Sequence, residues 1–396
     1  MATLTPTPST VPRHAVGVSA SAQRRSRRNP GAAWRHIDFA LIIAVVGVAC
    51  FGALMIYSAS RDRLQASGID PAYFVKRQAV FVAIGLAVMV LAAAIDYRRL
   101  RDVAPVFYIG TVLVLLAVFS PLGQKSRGSQ AWFAIGSYQL EPSEFAKVAL
   151  ILALAAFCAL YKGRLRARHL VVVLALATVP LALIYKQPDL GTSLVLGAVL
   201  FTVLLVGGAR GRHLVLLGLI GAFAVVGVLH FGVLKQYQRD RLTAFLDPTT
   251  NTQASAYNLD QSKIAISSGG VSGKGLFKGT QTNLSYVPEQ HTDFIFTAVG
   301  EQLGLIGSAL LLGLFVLMVW RIWRTASISR DLLGTLLCVG VLAMLVFQIF
   351  ENIGMTMGIM PIAGIPLPFM SYGGSAVVAS FAAVGLVLNV HMRRFS

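Results

Sequence analysis

The stretch VPEQHTDFIFTAVG, residues 287–300, passes from polar to apolar within a few positions, with His291, Thr292 and Asp293 directly before Phe294, Ile295 and Phe296. An ionisable group at the mouth of an apolar helix is costly to keep there, so Asp293 reads first as a functional residue. The competing reading is a helix cap, in which an oxygen of Thr292 or Asp293 accepts from the exposed N–H groups of the first turn. The two readings are compatible, and the rest of the chain has to decide between them.

Of the 396 residues, 56% are hydrophobic and 13% charged. That is too apolar for a soluble globular protein of this length and indicates an all-α polytopic membrane protein. The formal net charge of +18 would suit nucleic acid if the basic residues gathered on a soluble surface. They sit instead in short loops between apolar runs, where they orient the chain in a bilayer, so no nucleic-acid partner is expected. Cys50, Cys158 and Cys338 fall inside apolar runs without paired spacing, which argues against a disulfide framework or a metal site.

Residues 1–37 are rich in Ser, Thr, Pro, Ala and Arg and read as a disordered basic cytoplasmic tail rather than a cleavable signal peptide. Residues 38–396 read as a single domain of ten spans, near 39–58, 79–95, 104–120, 143–160, 170–185, 190–207, 213–233, 294–320, 332–353 and 375–391. Each is long enough, at ~1.5 Å per residue, to cross a hydrocarbon core ~30 Å thick, or nearly so with local thinning. Arg98, Arg99, Arg101, Lys162, Arg164, Arg166, Arg168, Arg210, Arg212, Arg321, Arg324, Arg330, Arg393 and Arg394 then fall on one side, so both termini are expected in the cytoplasm.

That orientation leaves residues 61–77, 121–142 and the large loop 234–293 outside. A structureless loop of the last size is uncommon unless it is functional. Within it KQYQRDRLTAF and QSKIAISS have roughly helical spacing, and they read as amphipathic helices lying on the outer membrane surface. SGGVSGKGLFKGTQTN reads as a glycine-rich, mobile and cationic turn segment. No internal repeat supports an inverted-repeat transporter.

The segment YQLEPSEFAKVAL, residues 138–150, enters the fourth span from the same side. Pro142 and Ser143 suit a helix start, and Glu144 and Lys147 share one face of its first turns. The helix dipole and desolvation both disfavour a charge on Lys147, which therefore needs a carboxylate partner. Glu144 and Asp293 are the candidates. One reading is an ion pair that locks two helices together. The other is acid–base chemistry on a phosphate-bearing lipid, since Lys125, Arg239, Arg241, Lys274 and Lys278 lie on the same side.

Asp189 suits a helix cap. Glu301, Gln302, Glu351 and Asn352 suit interhelical hydrogen bonding. GIMPIAGIPLPFMSYGGS, residues 358–375, cannot be a regular lipid-facing helix and is expected to be a re-entrant or surface segment lining a cavity. His291 has no second histidine nearby and makes a poor metal site.

EPSEFAK at Glu141, KQPDLGTS at Lys186, YQRDRLTAFLDP at Tyr237, YNLDQSKIAISSGGVSGKGL at Tyr257, VPEQHTDFIF at Val287 and PLPFMSYGGS at Pro366 follow one another in register. In that order the chain resembles the SEDS family (shape, elongation, division and sporulation), from about the first span to Arg394. QSKIAI, GTQTN and PEQHTDF resemble its elongation branch. The resemblance implies a peptidoglycan glycosyltransferase of the bacterial cytoplasmic membrane, its active site facing outward. It would polymerise lipid II, the undecaprenyl-pyrophosphate-linked disaccharide peptide, into a nascent glycan strand.

A class B penicillin-binding protein, other elongation-complex membrane proteins and a divalent cation (Mg or Mn) are the implied partners, with no organic cofactor. Asp293 matches the family's essential aspartate, and Glu144 and Lys147 match the acid and lysine of its QPSE-type motif, in which Glu141 replaces the usual glutamine. The expected substrate contacts are Glu289, His291 and Thr292 beside Asp293, Ser143 beside Glu144, and the cations Arg239, Arg241, Lys274 and Lys278. Asp293 is the expected general base. A lipid II flippase, a division or sporulation paralogue of the same enzyme class and a non-catalytic scaffold are the alternatives.

Overall fold

The structure is a computed structural model that describes residues 35–126, 129–161, 165–230, 241, 245 and 254–395. Residues 1–34 of the basic tail and most of KQYQRDRLTAF, Arg239 included, lie outside the described residues, as does the Lys125 side chain. The chain runs α1 (Phe39–Ala66), α2 (Tyr73–Ala94), α3 (Tyr97–Ala117), β1 (Gly123–Ser126), β2 (Ser129–Ile135), β3 (Tyr138–Leu140), α4 (Pro142–Leu160), α5 (Ala167–Lys186), α6 (Leu190–Val206) and α7 (Gly211–His230). There follow α8 (Ala254–Gly269), α9 (Thr280–Asn283), α10 (Ile295–Ser327), α11 (Leu332–Met357) and α12 (Gly374–Met392). Among the described residues eight helices are long and apolar enough to cross a membrane, and Leu190–Val206 and Gly211–Phe223 are shorter apolar ones. At ~1.5 Å per residue the former reaches ~26 Å, within the span of a thinned bilayer. The protein is thus a helical multi-pass membrane protein.

α4, α11 and α12 are apolar on nearly every face and buried, as expected of helices in the middle of a bundle. α12 packs along α2, α11 along α4, α6 and α10, and α1 along α10. α3 and α7 carry the lipid-facing side chains Val106, Ile109, Leu113, Leu219 and Phe223. One end of the bundle is closed by an ion pair in which Arg321 donates to Asp38 at 2.8 and 3.0 Å. His36 and Phe395 meet at that end in an edge contact, so the two ends of the described chain come together there. Arg98, Arg324, Arg393 and Arg394 gather towards the same end of the bundle.

At the opposite end, β1, β2 and β3 form an antiparallel sheet in that order, where the sequence had suggested only a connection. The available signal was FAIGSYQL, two apolar-containing runs joined by Gly-Ser, with Gly136 at φ 61°.

The large loop differs more from expectation. α8 does not lie on the membrane surface but packs on α10 and α11. Leu259 and Ala265 are buried, and the Ser262 hydroxyl donates to Thr356 O at 2.6 Å. Its buried face of small residues suits close helix contact better than lipid.

The glycine-rich segment is stapled rather than mobile. α10 breaks at Gly304 (φ 62°, ψ −155°), which frees backbone groups that must find other partners. Lys274 N and Gly275 N donate to Glu301 O and Gln302 O at 3.0 Å, while Leu305 N and Ile306 N donate to Gly270 O and Val271 O at 3.0 and 3.1 Å. The buried Glu301 carboxylate accepts from Gln281 N (2.8 Å), Thr282 N (2.9 Å), Thr282 Oγ1 (2.8 Å) and Lys274 Nζ (3.0 Å). Gln302 Oε1 accepts from Ser58 Oγ at 2.6 Å and Phe277 N at 2.9 Å, so the break is also tied to α1.

The break lies at the edge of the apolar slab. On α10 the large exposed apolar side chains run from Leu305 to Trp323, a rise of ~27 Å, and the turns before Gly304 are buried in protein.

Gly304→Ala tests this junction. The φ/ψ is one that only glycine adopts readily, and a Cβ would collide with Gly273 N and lie 2.7 Å from Val271 O. The expected loss is at least ~1–3 kcal/mol, read as a lower thermal midpoint of the detergent-solubilised protein and earlier proteolysis within residues 270–283.

Candidate functional site

Two groups of ionisable residues meet the segment between α11 and α12. The first is at the start of α4, where Pro142 occupies the first turn and Glu141 precedes it. Lys147 Nζ donates to Glu144 Oε1 at 2.7 Å, and both side chains are almost wholly buried. The partner Lys147 requires is therefore supplied within its own helix. Ser143 Oγ donates to Glu141 Oε1 at 2.8 Å, and Trp132 Nε1 of β2 donates to Glu141 Oε2 at 3.1 Å. Glu141 N donates to Ser375 Oγ of α12 at 2.8 Å. Burial first, and then the carboxylates of Glu144 and Asp189, push the Glu141 carboxyl up to about 8. Near neutrality it is largely protonated, a close isostere of the glutamine it replaces in the family motif.

The second group surrounds Asp293. The N-cap of α10 is Phe294, with no side-chain cap, so the capping reading of Thr292 and Asp293 is not what the fold adopts. Thr292 Oγ1 instead donates to Glu289 O at 3.0 Å, closing a tight turn in which Glu289 has φ 54°. Asp293 is half-buried. Its carbonyl accepts from Asn352 Nδ2 of α11 at 2.8 Å, and the same amide group donates to Ile365 O at 2.7 Å. Asp293 Oδ2 and Arg241 Nη1 lie 3.5 and 3.3 Å from the point a Cβ on Gly364 would occupy. Gly364 has φ 74°, so the backbone here passes close beside both charged groups where a larger residue would intrude.

The proline-rich segment joins the two groups, with Ile365, Leu367, Phe369 and Met370 buried. Ile365 and the Ala363 carbonyl crowd Gly191 in the first turn of α6, whose cap Asp189 accepts from Thr192 N at 2.9 Å. Tyr372 N donates to His291 O at 2.9 Å, and the His291 ring lies 4.5 Å from the Phe74 ring of α2. α4, which carries the Glu144–Lys147 pair, and α10, which follows Asp293, each pack on α11. The packing of Gly340 against Ile151 sets the antiparallel register of α11 on α4, which puts Gln348 and Glu351 at the depth of Glu144 and Glu141.

The remaining expected contacts are dispersed. Lys274 is engaged by Glu301 and Thr280 (3.0 and 2.6 Å), and Lys278 is exposed. Among the described residues no three His, Cys, Asp or Glu side chains gather in a metal-binding group. Sequence reasoning missed Trp132, Gly364 and Ser375 as parts of the site. It read Glu351 and Asn352 as interhelical polar residues, and their only signal was a polar pair at the end of an apolar run.

Residues 39–395 match the family described as cell cycle proteins, FtsW, RodA and SpoVE. The chain belongs to the SEDS family. It is 36% identical to the probable peptidoglycan glycosyltransferase FtsW of Geobacter metallireducens, with 90% of this chain and 95% of that one covered. It is also 36% identical to the peptidoglycan glycosyltransferase MrdB of Escherichia coli K12 (91% and 94%). Among solved structures it superposes on a chain of a peptidoglycan synthase complex with TM-score 0.77 and 32% identity (91% and 99% covered). For the rod shape determining protein RodA of Thermus thermophilus the TM-score is 0.68 and the identity 31% (92% and 99%).

Two predictions follow the geometry of α4 in this SEDS chain. Removing one partner of the buried pair, as in Glu144→Gln or Lys147→Met, strands a charge and is expected to cost ~3–5 kcal/mol. The double variant restores folding, measured as monodisperse elution and thermal midpoint. Glu141→Gln is expected to keep the fold and neutral-pH activity. A carboxyl raised to about 8 in the folded state binds its proton more tightly there than in the unfolded chain. Its stabilising contribution is full below the unfolded value and fades as pH rises through about 8, so unfolding curves recorded up to pH 9 should be flatter for Glu141→Gln than for the wild type.

Proposed function

We propose that this SEDS protein is a peptidoglycan glycosyltransferase that polymerises lipid II at the outer face of the cytoplasmic membrane, with Asp293 as general base. The observation that carries the reading is the placement of Asp293. Its half-buried carboxylate is not the helix cap, it stands at the edge of the apolar slab beside Arg241, and its backbone is tied to α11 by Asn352.

In this reading the sugar hydroxyl of the incoming lipid II attacks the anomeric carbon of the growing strand, and Asp293 takes its proton. The bond from that carbon to undecaprenyl pyrophosphate breaks with inversion, and the pyrophosphate leaves as an anion. Arg241 is placed to balance that charge. The Glu144–Lys147 pair fixes the start of α4. A magnesium or manganese ion would arrive as the counterion of the pyrophosphate, and no step above is routed through it.

Two further parts are proposals of the same kind. The relative in a complex of polymerization and crosslinking supports a crosslinking partner, a class B penicillin-binding protein. The segments QSKIAI, GTQTN and PEQHTDF favour a role in elongation over division. A flippase is the second reading, since it would use the same substrate and cavity. It calls for charged sites and broken helices at the midplane, whereas the break in α10 and the ions around Asp293 lie at the slab edge.

The test is purified protein, with and without its transpeptidase partner, given labelled lipid II in detergent with magnesium or manganese. Detergent removes the two compartments, so transport cannot mimic product. Polymer from the wild type and at least ~100-fold less from Asp293→Asn, with unchanged folding, is the expected outcome. Retained polymerisation in Asp293→Asn removes the base assignment.

A further inference from the structure

The start of α2 carries a guanidinium for which the described fold supplies no counterion. Arg77 is half-buried, and its Cζ lies 4.5 Å from the centroid of the Tyr73 ring and 4.9 Å from that of Tyr138 in β3. Both tyrosines are exposed. Among the described residues no carboxylate pairs with Arg77: Asp62 and Asp70, which precede it, are taken by Arg61 at 2.8 Å and Lys76 at 2.6 Å. Glu141, next to β3, is held by Ser143 and Trp132.

The same arginine is built into the wall of the candidate site. Its charge acts on Tyr372, whose N–H donates to His291 O at 2.9 Å. The Tyr372 ring lies 4.9 Å from that of Phe74 and 5.8 Å from that of His291. The next residue of α2, Gln78, is buried and donates to Ser371 O at 3.2 Å. Arg77 is thus fixed against the segment that passes Asp293 at Gly364, and through His291 it adjoins the turn that ends in Asp293.

An anchor at the membrane interface would account for the tyrosines. It does not account for a guanidinium set between two rings with no acid beside it. The cation–π contacts orient that group, and its planar fork of N–H donors matches the oxygens of a phosphate or a carboxylate. The proposed transfer joins two lipid-linked molecules, so two pyrophosphates come to one face of the membrane. Arg241 is placed for the one that leaves.

We propose that Arg77, between Tyr73 and Tyr138, binds an anionic group of the incoming lipid II, either a phosphate of its pyrophosphate or a carboxylate of its stem peptide. This deepens the reading of the site as a lipid II polymerase and rests on it. Arg77 takes no part in proton transfer and holds the incoming molecule while its sugar hydroxyl reaches Asp293.

The experiment is polymerisation by the full-length protein with its transpeptidase partner, for wild type, Arg77→Gln and Arg77→Lys. Each is given lipid II and lipid II whose stem carboxylates are amidated. Equilibrium binding of both lipids is measured on Asp293→Asn with and without Arg77→Gln. Arg77→Gln is expected to raise KM about tenfold with kcat little changed, and to weaken binding by the same factor. Arg77→Lys keeps the charge without the fork and recovers part of the affinity. If the anion is a phosphate, the amidated lipid shows the same loss. If it is a stem carboxylate, amidation weakens binding to the protein with Arg77 and abolishes its difference from Arg77→Gln.

Unchanged KM and binding in Arg77→Gln overturn the proposal, as does a fall in kcat with KM and binding unchanged. Should Arg77→Gln not fold, Arg77→Lys decides alone: a raised KM at unchanged kcat supports the site, and the wild-type KM overturns it. Failure of the polymerase reading looks different, with neither polymer nor lipid II binding by the folded wild type, and it takes this proposal with it.

Discussion

The break in α10 at Gly304 and the glycine-rich segment that fills it hold the catalytic end of the molecule in place. A helix interrupted at a membrane boundary exposes amides and carbonyls that neither lipid nor its own helix can satisfy. Residues 270–275 satisfy them with backbone groups, and Glu301 gathers the amides of α9 and the ammonium of Lys274 around one buried carboxylate. Because the segment is anchored there, α8 is fixed against α10 and α11. The turn from Val287 to Asp293 then enters α10 in one conformation, with Asn352 holding its last carbonyl.

This arrangement accounts for the different roles of the acidic residues. Glu301 is fully engaged and serves the fold. Glu144 is engaged by Lys147 and serves the depth and packing of α4, since both charges would be costly alone in that position. Glu141, largely protonated near neutrality, takes the place of an amide between Trp132 and Ser143. Asp293 is left in a different condition, half-buried and beside a guanidinium, and Glu351 stands behind it with no hydrogen-bond partner among the described residues.

The placement of the break also bears on transport. Helix discontinuities near the midplane suit carriers that alternate access around a central site. Here the lipid-facing part of α10 begins after the break and extends over the full apolar thickness. The broken turns are buried in protein beyond the end of that apolar stretch.

The sequence by itself determined the helical membrane class, the run of apolar segments, the cap at Asp189 and the pairing distance between Glu144 and Lys147. Each of these follows from composition or from spacing along one helix, both of which are local. It also singled out Asp293, through the abruptness of the polar-to-apolar change.

Only the tertiary structure decided that Phe294 rather than Asp293 caps α10, that the glycine-rich segment is stapled, that α8 docks on protein instead of lipid, and that β1, β2 and β3 form a sheet. It alone brought Arg241, Asp293 and Gly364 together, from three stretches far apart in the chain. The charge of Lys274 is legible in the chain, and the Glu301 carboxylate that pairs with it is not. The physical reason is the same throughout: a buried polar group chooses its partner across the fold, and periodicity along the chain records only which face it occupies.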